Sequence, residues 1–346
     1  MTQTNDIVEW SDIADEFGDT LLIGNGGSIA LSNNFSYTNL YKFGVERGEI
    51  NSCIQDIFQE FSKVRDFEKL LRRLWEADFI NKKFDIAETE QAKVRKPYTD
   101  VRRALINTVK DIHPDQEQLA ESLSNISKYC SRFSKIFTLN YDLTLIWAIE
   151  SSNKMAVMPK KFSDGFSSQK MNTKLNSFTY DGRIEHSVIS VYYLHGNLCL
   201  CQTKATREEK KLAAEDVGGS LLKQLTDYWA KNDVQPLFVC EGGSREKLLS
   251  ITQSNYLYTA YENLELDRSE SLAIYGWSIS DGDQHILDAI KKNRSLKRVA
   301  VSVYKDDKKF QDKAKQALRE IGIESIRFFD SESSGCWANL EQLLPI

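Results

Sequence analysis

Seven short apolar runs punctuate the chain, each followed by a turn and then a helical pattern. They are TLLIG (20–24), KIFTL (135–139), SVYYL (190–194), PLFVC (236–240), SLAIYG (271–276), RVAVSVY (298–304) and SIRFF (325–329). Strands alternating with helices predict an α/β fold around a mainly parallel sheet. In such sheets, sites form in the loops beyond the C-terminal ends of the strands.

The runs are unevenly spaced. Residues 25–134 separate the first two, and most of 51–133 has a helical period: Ile54, Ile57, Phe58 and Phe61 make one apolar stripe, Leu70, Leu71 and Leu74 another. The pattern continues over 98–130 with a break at His113-Pro114. The chain therefore reads as a single domain over 1–346, with 46–130 as a helical insertion. Residues 151–186, rich in Lys, Ser and Asn, and 203–233 read as irregular insertions, the first covering the site. The second carries a charged helix in TREEKKLAAED and a break at Gly218-Gly219.

Composition narrows the class. With 346 residues, 41% hydrophobic and 27% charged, the chain is that of an ordinary globular protein. A net charge of −5 gives no global attraction to nucleic acid or anionic lipid. The basic stretch 291–309 flanks a helix and a strand and reads as a solvated face. No basic segment followed by an apolar one opens the chain, and no apolar run approaches the roughly 20 residues that span a bilayer, so a cytoplasmic protein without membrane contact is expected. The six cysteines show no C-x-x-C pair and read as reduced thiols, so no metal is expected.

The strand ends carry the candidate chemistry. KIFTL runs into Asn140-Tyr141-Asp142 before a helix begins. Asp142 is placed to cap that helix, and Asn140 tolerates an unusual turn. TLLIG runs into Gly24-Asn25-Gly26-Gly27-Ser28, a tight turn whose exposed backbone N–H groups would suit a pyrophosphate. The G-x-G-x-x-G pattern is only partly met, because Ile29 stands at the third glycine. SVYYL delivers His195-Gly196, and an imidazole titrating near neutral pH can serve as a general base. His113 before proline, His186 in a polar loop and His285 at a helix start have poorer settings. SLAIYG ends at Gly276-Trp277-Ser278, where the glycine permits close ligand approach and the serine offers a hydroxyl. Asp281 and Asp283 read as helix N-caps. PLFVC is followed by Glu241-Gly242-Gly243-Ser244, with Glu241 near the same edge.

Gly24-Asn25-Gly26, Thr138-Leu139-Asn140-Tyr141-Asp142, His195-Gly196 and Gly276-Trp277-Ser278, in this order on strand ends, resemble the sirtuin superfamily. The resemblance covers roughly 15–45, 130–150, 188–200 and 268–346. It implies a Rossmann-like sheet and NAD as the substrate. Asn140 would hold the nicotinamide ribose and the attacking water, and Asp142 would orient the ribose or its neighbours. His195 would be the base, and Gly24, Asn25, Gly26, Ser28, Gly276 and Ser278 would bind the rest of the dinucleotide. The four-cysteine zinc module of the protein-deacetylating members is missing, as is their Pro-Asp-Phe-Arg segment, which Asn34-Phe35-Ser36-Tyr37 replaces. The pattern is closer to bacterial sirtuin-like proteins that hydrolyse NAD in anti-phage defence. Those proteins imply a homo-oligomer and an ATPase or nucleic-acid-sensing partner. The alternatives are an NAD-dependent protein deacylase and a non-catalytic sensor of NAD or ADP-ribose.

Overall fold

The computed structural model describes residues 6–61, 66–154, 160–169, 175–180, 188–203, 205–214, 221–232, 234–239 and 243–339. Its strands are β1 (Ile7–Val8), β2 (Thr20–Ile23), β3 (Lys135–Thr138), β4 (Phe162–Ser163), β5 (Phe166–Gln169), β6 (Leu175–Tyr180), β7 (Ile189–Tyr193), β8 (Gly196–Thr203), β9 (Glu209–Ala214), β10 (Val234–Phe238), β11 (Ser271–Tyr275), β12 (Arg298–Val303) and β13 (Ser325–Asp330). The helices are α1 (Gly26–Ile29), α2 (Tyr37–Glu46), α3 (Ser52–Phe61), α4 (Phe67–Lys83), α5 (Glu88–Ile112), α6 (Ala120–Cys130), α7 (Thr144–Lys154), α8 (Leu221–Lys231), α9 (Ser244–Thr252), α10 (Asn255–Glu265), α11 (Gln284–Lys292) and α12 (Lys308–Glu320).

Among the described residues, eight strands form one sheet in the order β1-β13-β12-β11-β2-β3-β7-β4. Every neighbouring pair in it is parallel. The fold is therefore α/β and Rossmann-like, as the apolar runs predict. Strands β2, β11 and most of β12 are buried along their length, which accounts for their unbroken apolar character. From β2 the chain builds one half of the sheet through β3 and β7, and the other half starts afresh at β11. The switch point of the topology thus lies between β2 and β11, where a crevice opens beyond the strand ends.

Helices α3 to α6 lie between β2 and β3 in sequence, with α2 already begun at Tyr37. The stripes read from the sequence face inward: Ile54, Phe58, Leu70, Leu71 and Leu74 are buried, and α5 ends at Ile112, before His113-Pro114. The side chain of Phe61 lies outside the described residues. Among the described residues, no helix is long and apolar enough to cross a membrane.

Three sequence expectations are corrected. The insertions 151–186 and 203–233 are not simply irregular: β5, β6 and β9 join β8 and β10 in a five-stranded antiparallel sheet of order β10-β8-β9-β6-β5. The composition of TREEKKLAAED predicts a helix, yet its centre is β9, paired with β8 on one side and β6 on the other. Pairing on both sides outweighs the local preference of Glu, Lys and Ala for helix. The apolar run at 236–240 predicts another parallel strand, but Pro236, Leu237 and Phe238 belong to β10 on the edge of the second sheet. Pro236 fits there because an edge strand has one unpaired side. Cys240, Glu241, Gly242, His186 and Gly218-Gly219 lie outside the described residues.

The two sheets meet at His195-Gly196. Gly196 has φ +77°, and a Cβ there would lie 2.1 Å from the Leu237 carbonyl oxygen. This glycine lets the chain leave β7 and enter β8 directly, turning His195 toward the crevice. Gly196→Ala should cost about 2–4 kcal/mol, since left-handed strain and a backbone clash add. Urea unfolding checks it; a variant as stable as the parent would show that the turn relaxes.

Candidate functional site

The crevice is a cleft of about 850 Å³, within the range of small-molecule and cofactor sites. Gly24, Asn25, Gly26, Asn140, Asp142, His195, Gly276 and Ser278 all line it. These residues come from the ends of β2, β3, β7 and β11, so the parallel sheet itself collects them.

At the switch point, the turns after β2 and β11 interlock. Gly24 N donates to Tyr275 O at 2.9 Å and Gly26 N to Gly276 O at 2.8 Å. A Cβ on Gly26 would lie 2.7 Å from Gly276 Cα, and one on Gly276 would lie 2.5 Å from Gly27 N. The glycines are needed first for this close backbone approach. Gly27 N, Ser28 N and Ile29 N are bonded to the carbonyls of Gly24 and Asn25. The expected pyrophosphate cradle of exposed N–H groups is therefore not formed at these positions. Ser278 is exposed at the cleft wall, its carbonyl held by Lys313 Nζ at 3.1 Å.

The Asn140 corner is built from beneath. Asp142 is buried, and its Oδ1 accepts Thr144 N at 2.8 Å, which caps α7 as the sequence suggests. Its Oδ2 accepts the Ser28 hydroxyl, and Ser28 Oγ in turn accepts Asn140 Nδ2 at 2.9 Å. Ser28 is buried at 1% exposure and does not line the cleft. The expectation that Ser28 binds cofactor is corrected accordingly: its hydroxyl is spent on fixing Asn140. Asp142 likewise has both carboxylate oxygens engaged, so it orients its neighbours. The Asn140 amide is left with a buried Oδ1 that has no hydrogen-bond partner among the described residues. A buried carbonyl oxygen without a donor costs free energy unless a ligand or water supplies one. His113 braces the loop, with Nδ1 against Pro114 O at 3.0 Å and Nε2 accepting Leu143 N at 3.2 Å.

His195 is buried at 4% exposure, and its Nε2 lies 3.0 Å from His285 Nε2. Beside the pair runs a charged chain. Lys247, 1% exposed, donates to Asp283 Oδ1 and Glu68 Oε2, both at 2.8 Å. Asp283 Oδ2 accepts Trp277 Nε1 at 3.2 Å and Ser280 Oγ at 2.9 Å, and Glu68 Oε1 accepts Tyr37 OH at 2.8 Å. Burial disfavours charge on Lys247, but its two carboxylates outweigh burial and hold it protonated. Asp283 stays ionised in the same way, because the Lys247 ammonium overcomes its desolvation.

Both histidines are pushed toward the neutral form. Burial, then the Lys247 charge, hold His195 well below its ordinary value and bring His285 down to about 4. Burial lowers His113 too. In the unfolded chain these rings take up protons near the ordinary 6.5, and in the folded chain only at lower pH. Stability is therefore expected to be level above about pH 7 and to fall from about 6.5 toward 4. A thermal-melt series across that range tests it. A melting temperature independent of pH would show that the histidines titrate alike in the folded and unfolded chain.

His285, Asp283, Lys247, Glu68 and Tyr37 were not found by sequence reading. The sequence pattern predicts Asp283 as an N-cap, yet it makes no side-chain capping bond to α11. Its partners are Lys247, Trp277 and Ser280 instead. His285 stands 90 residues from His195, and Lys247 stands 179 from Glu68. The only local signal was the concentration of polar residues just beyond β11.

No curated protein matches the chain. A family model described as a domain of unknown function, DUF4917, matches residues 21–337, from β2 to Trp337, and so takes in both halves of the cleft floor. The chain thus belongs to the DUF4917 family.

Proposed function

We propose that the chain cleaves NAD to nicotinamide and ADP-ribose, with water as acceptor. The observation that carries this reading is the unpartnered Oδ1 of Asn140, fixed through Ser28 and Asp142, in one cleft with a neutral His195. The nicotinamide of NAD is already a good leaving group, so the protein must mainly position the ribose and receive one proton. Asn140 Oδ1 accepts a ribose hydroxyl or the attacking water. A neutral His195 accepts the proton of that water, while the N-glycosidic electron pair leaves with nicotinamide. The order of the strand-end motifs, which resembles the sirtuin superfamily, names NAD as the substrate. The same resemblance makes bacterial anti-phage defence, as an oligomer with a sensing partner, the setting of the activity.

Incubating the purified chain with NAD and separating the products tests this directly. Equal amounts of nicotinamide and ADP-ribose, without any acylated peptide, are expected. Release that requires an acyl-lysine peptide would point to a deacylase. Binding without turnover, in the presence of whatever partner activates the chain, would make it a sensor.

A further inference from the structure

The buried histidine pair carries a step beyond a single general base, and this inference rests on the NAD-cleaving reading. The rings of His195 and His285 lie within 25° of parallel with centroids 5.2 Å apart, while their Nε2 atoms are 3.0 Å apart. That centroid distance is close to the largest such a nitrogen contact permits, so the rings meet tip to tip. This is the geometry of an N–H···N hydrogen bond between two neutral imidazoles. Because Nε2 of His195 is committed to His285, Nδ1 is the ring nitrogen left for the cleft. When Nδ1 holds a free lone pair, the ring hydrogen of His195 sits on Nε2 and is donated to His285.

We propose that His285 is the second half of a two-histidine base, taking the Nε2 proton of His195 as His195 Nδ1 accepts one from the attacking water. The balance is simple. Water loses a proton to Nδ1 and bonds to the ribose carbon, nicotinamide leaves with the bonding pair, and the charge comes to rest on His285. Once the products depart, Nδ1 returns its proton to water and the Nε2 proton moves back.

The groups facing the pair favour His285 as the resting place. Lys247 opposes charge on both rings and Asp283 favours it on both, whereas Asp288 favours it on His285 alone. Ser244 Oγ lies 3.2 Å from the ring's Nδ1 and accepts the backbone N of His285 at 2.6 Å, while Tyr261 OH donates to the backbone O of His285 at 3.0 Å, so the ring is engaged at both nitrogens and the backbone that carries it is fixed. His195, Asp283 and His285 also bring their ligand atoms within 4.8 Å of one another, a spacing that a divalent cation uses. Both oxygens of Asp283 are already committed, however, and the Lys247 ammonium 2.8 Å away opposes a second cation.

The experiment uses the full chain with ¹⁵N-labelled histidine, of which there are four. One hydrogen-bonded N–H proton should correlate with both Nε2 nuclei and should vanish in His285→Gln, which keeps a hydrogen-bonding group near that position but cannot pass a proton on. In NAD hydrolysis, His285→Gln should lower kcat about tenfold or more, leave KM within about twofold, and move the acid limb of the pH profile to lower pH. A parent that does not cleave NAD sinks the functional reading and the base with it. An active parent matched by His285→Gln in kcat and pH profile overturns the two-histidine base alone. So does the absence of the shared N–H proton, or a stoichiometric metal bound by the pair.

Discussion

Asn140→Ala is expected to lower NAD cleavage by about 10²-fold or more while the protein still folds, the scale typical of a lost positioning or charge-stabilising group. The substitution removes a buried amide oxygen that lacks a hydrogen-bond partner among the described residues, and the native side-chain bond it breaks is the one from Nδ2 to Ser28 Oγ. What remains beneath is the bond between Ser28 and Asp142, which still caps α7. His195→Ala is expected to cost at least as much in rate, because in the proposed reaction Nδ1 accepts the proton. The informative comparison is rate against melting temperature, measured under the conditions that activate the parent. Parent-like cleavage by Asn140→Ala at normal stability would show that its free oxygen faces a structural water, and the proposed role would fall.

The second large effect is on stability. Lys247→Met leaves the buried Asp283 and the half-buried Glu68 without their cation, and removing one partner of a buried ion pair costs about 3–5 kcal/mol. Lys247 joins α9 to α4 and to the turn before α11, so its loss also loosens the helical lobe from the sheet at the cleft edge. The triple variant Lys247→Met, Glu68→Gln, Asp283→Asn should recover most of the loss, because no unpaired charge remains. Urea unfolding of the two variants decides the matter. If the triple is no more stable than the single, the cost comes from packing around the lysine stem and not from stranded charge.

The sequence was most legible where structure depends on near neighbours. Strands β2, β3, β7, β11 and β12 were readable because burial on both faces demands nearly unbroken apolar runs, and β13 because its exposed Ser325 and Arg327 alternate with buried Ile326 and Phe328. The helices of the lobe were readable because their stripes repeat every three to four residues, as Leu70, Leu71 and Leu74 do. Because parallel strands place their ends on one edge, Asn140, His195 and Gly276 were also readable as one site. The second sheet was not, since β9 is charged and helix-prone and becomes a strand only between β8 and β6.

The chemistry inside the site divides in the same way. Local sequence determined that Asp142 would cap α7 and that an imidazole and an amide would stand at strand ends. Only the tertiary structure decided that Ser28 faces Asp142 rather than a ligand, that Asp283 pairs with Lys247 rather than capping α11, and that His285 meets His195. Each of these contacts joins residues set by different strands or helices, 36 to 114 positions apart. A capping propensity acts over three or four residues, whereas a buried charge must find its partner wherever the crossovers of the sheet bring one. For that reason the sequence by itself determined the sheet and the edge that holds the site, and the packing of α9 and α11 against the strand ends decided which groups there remain free to act.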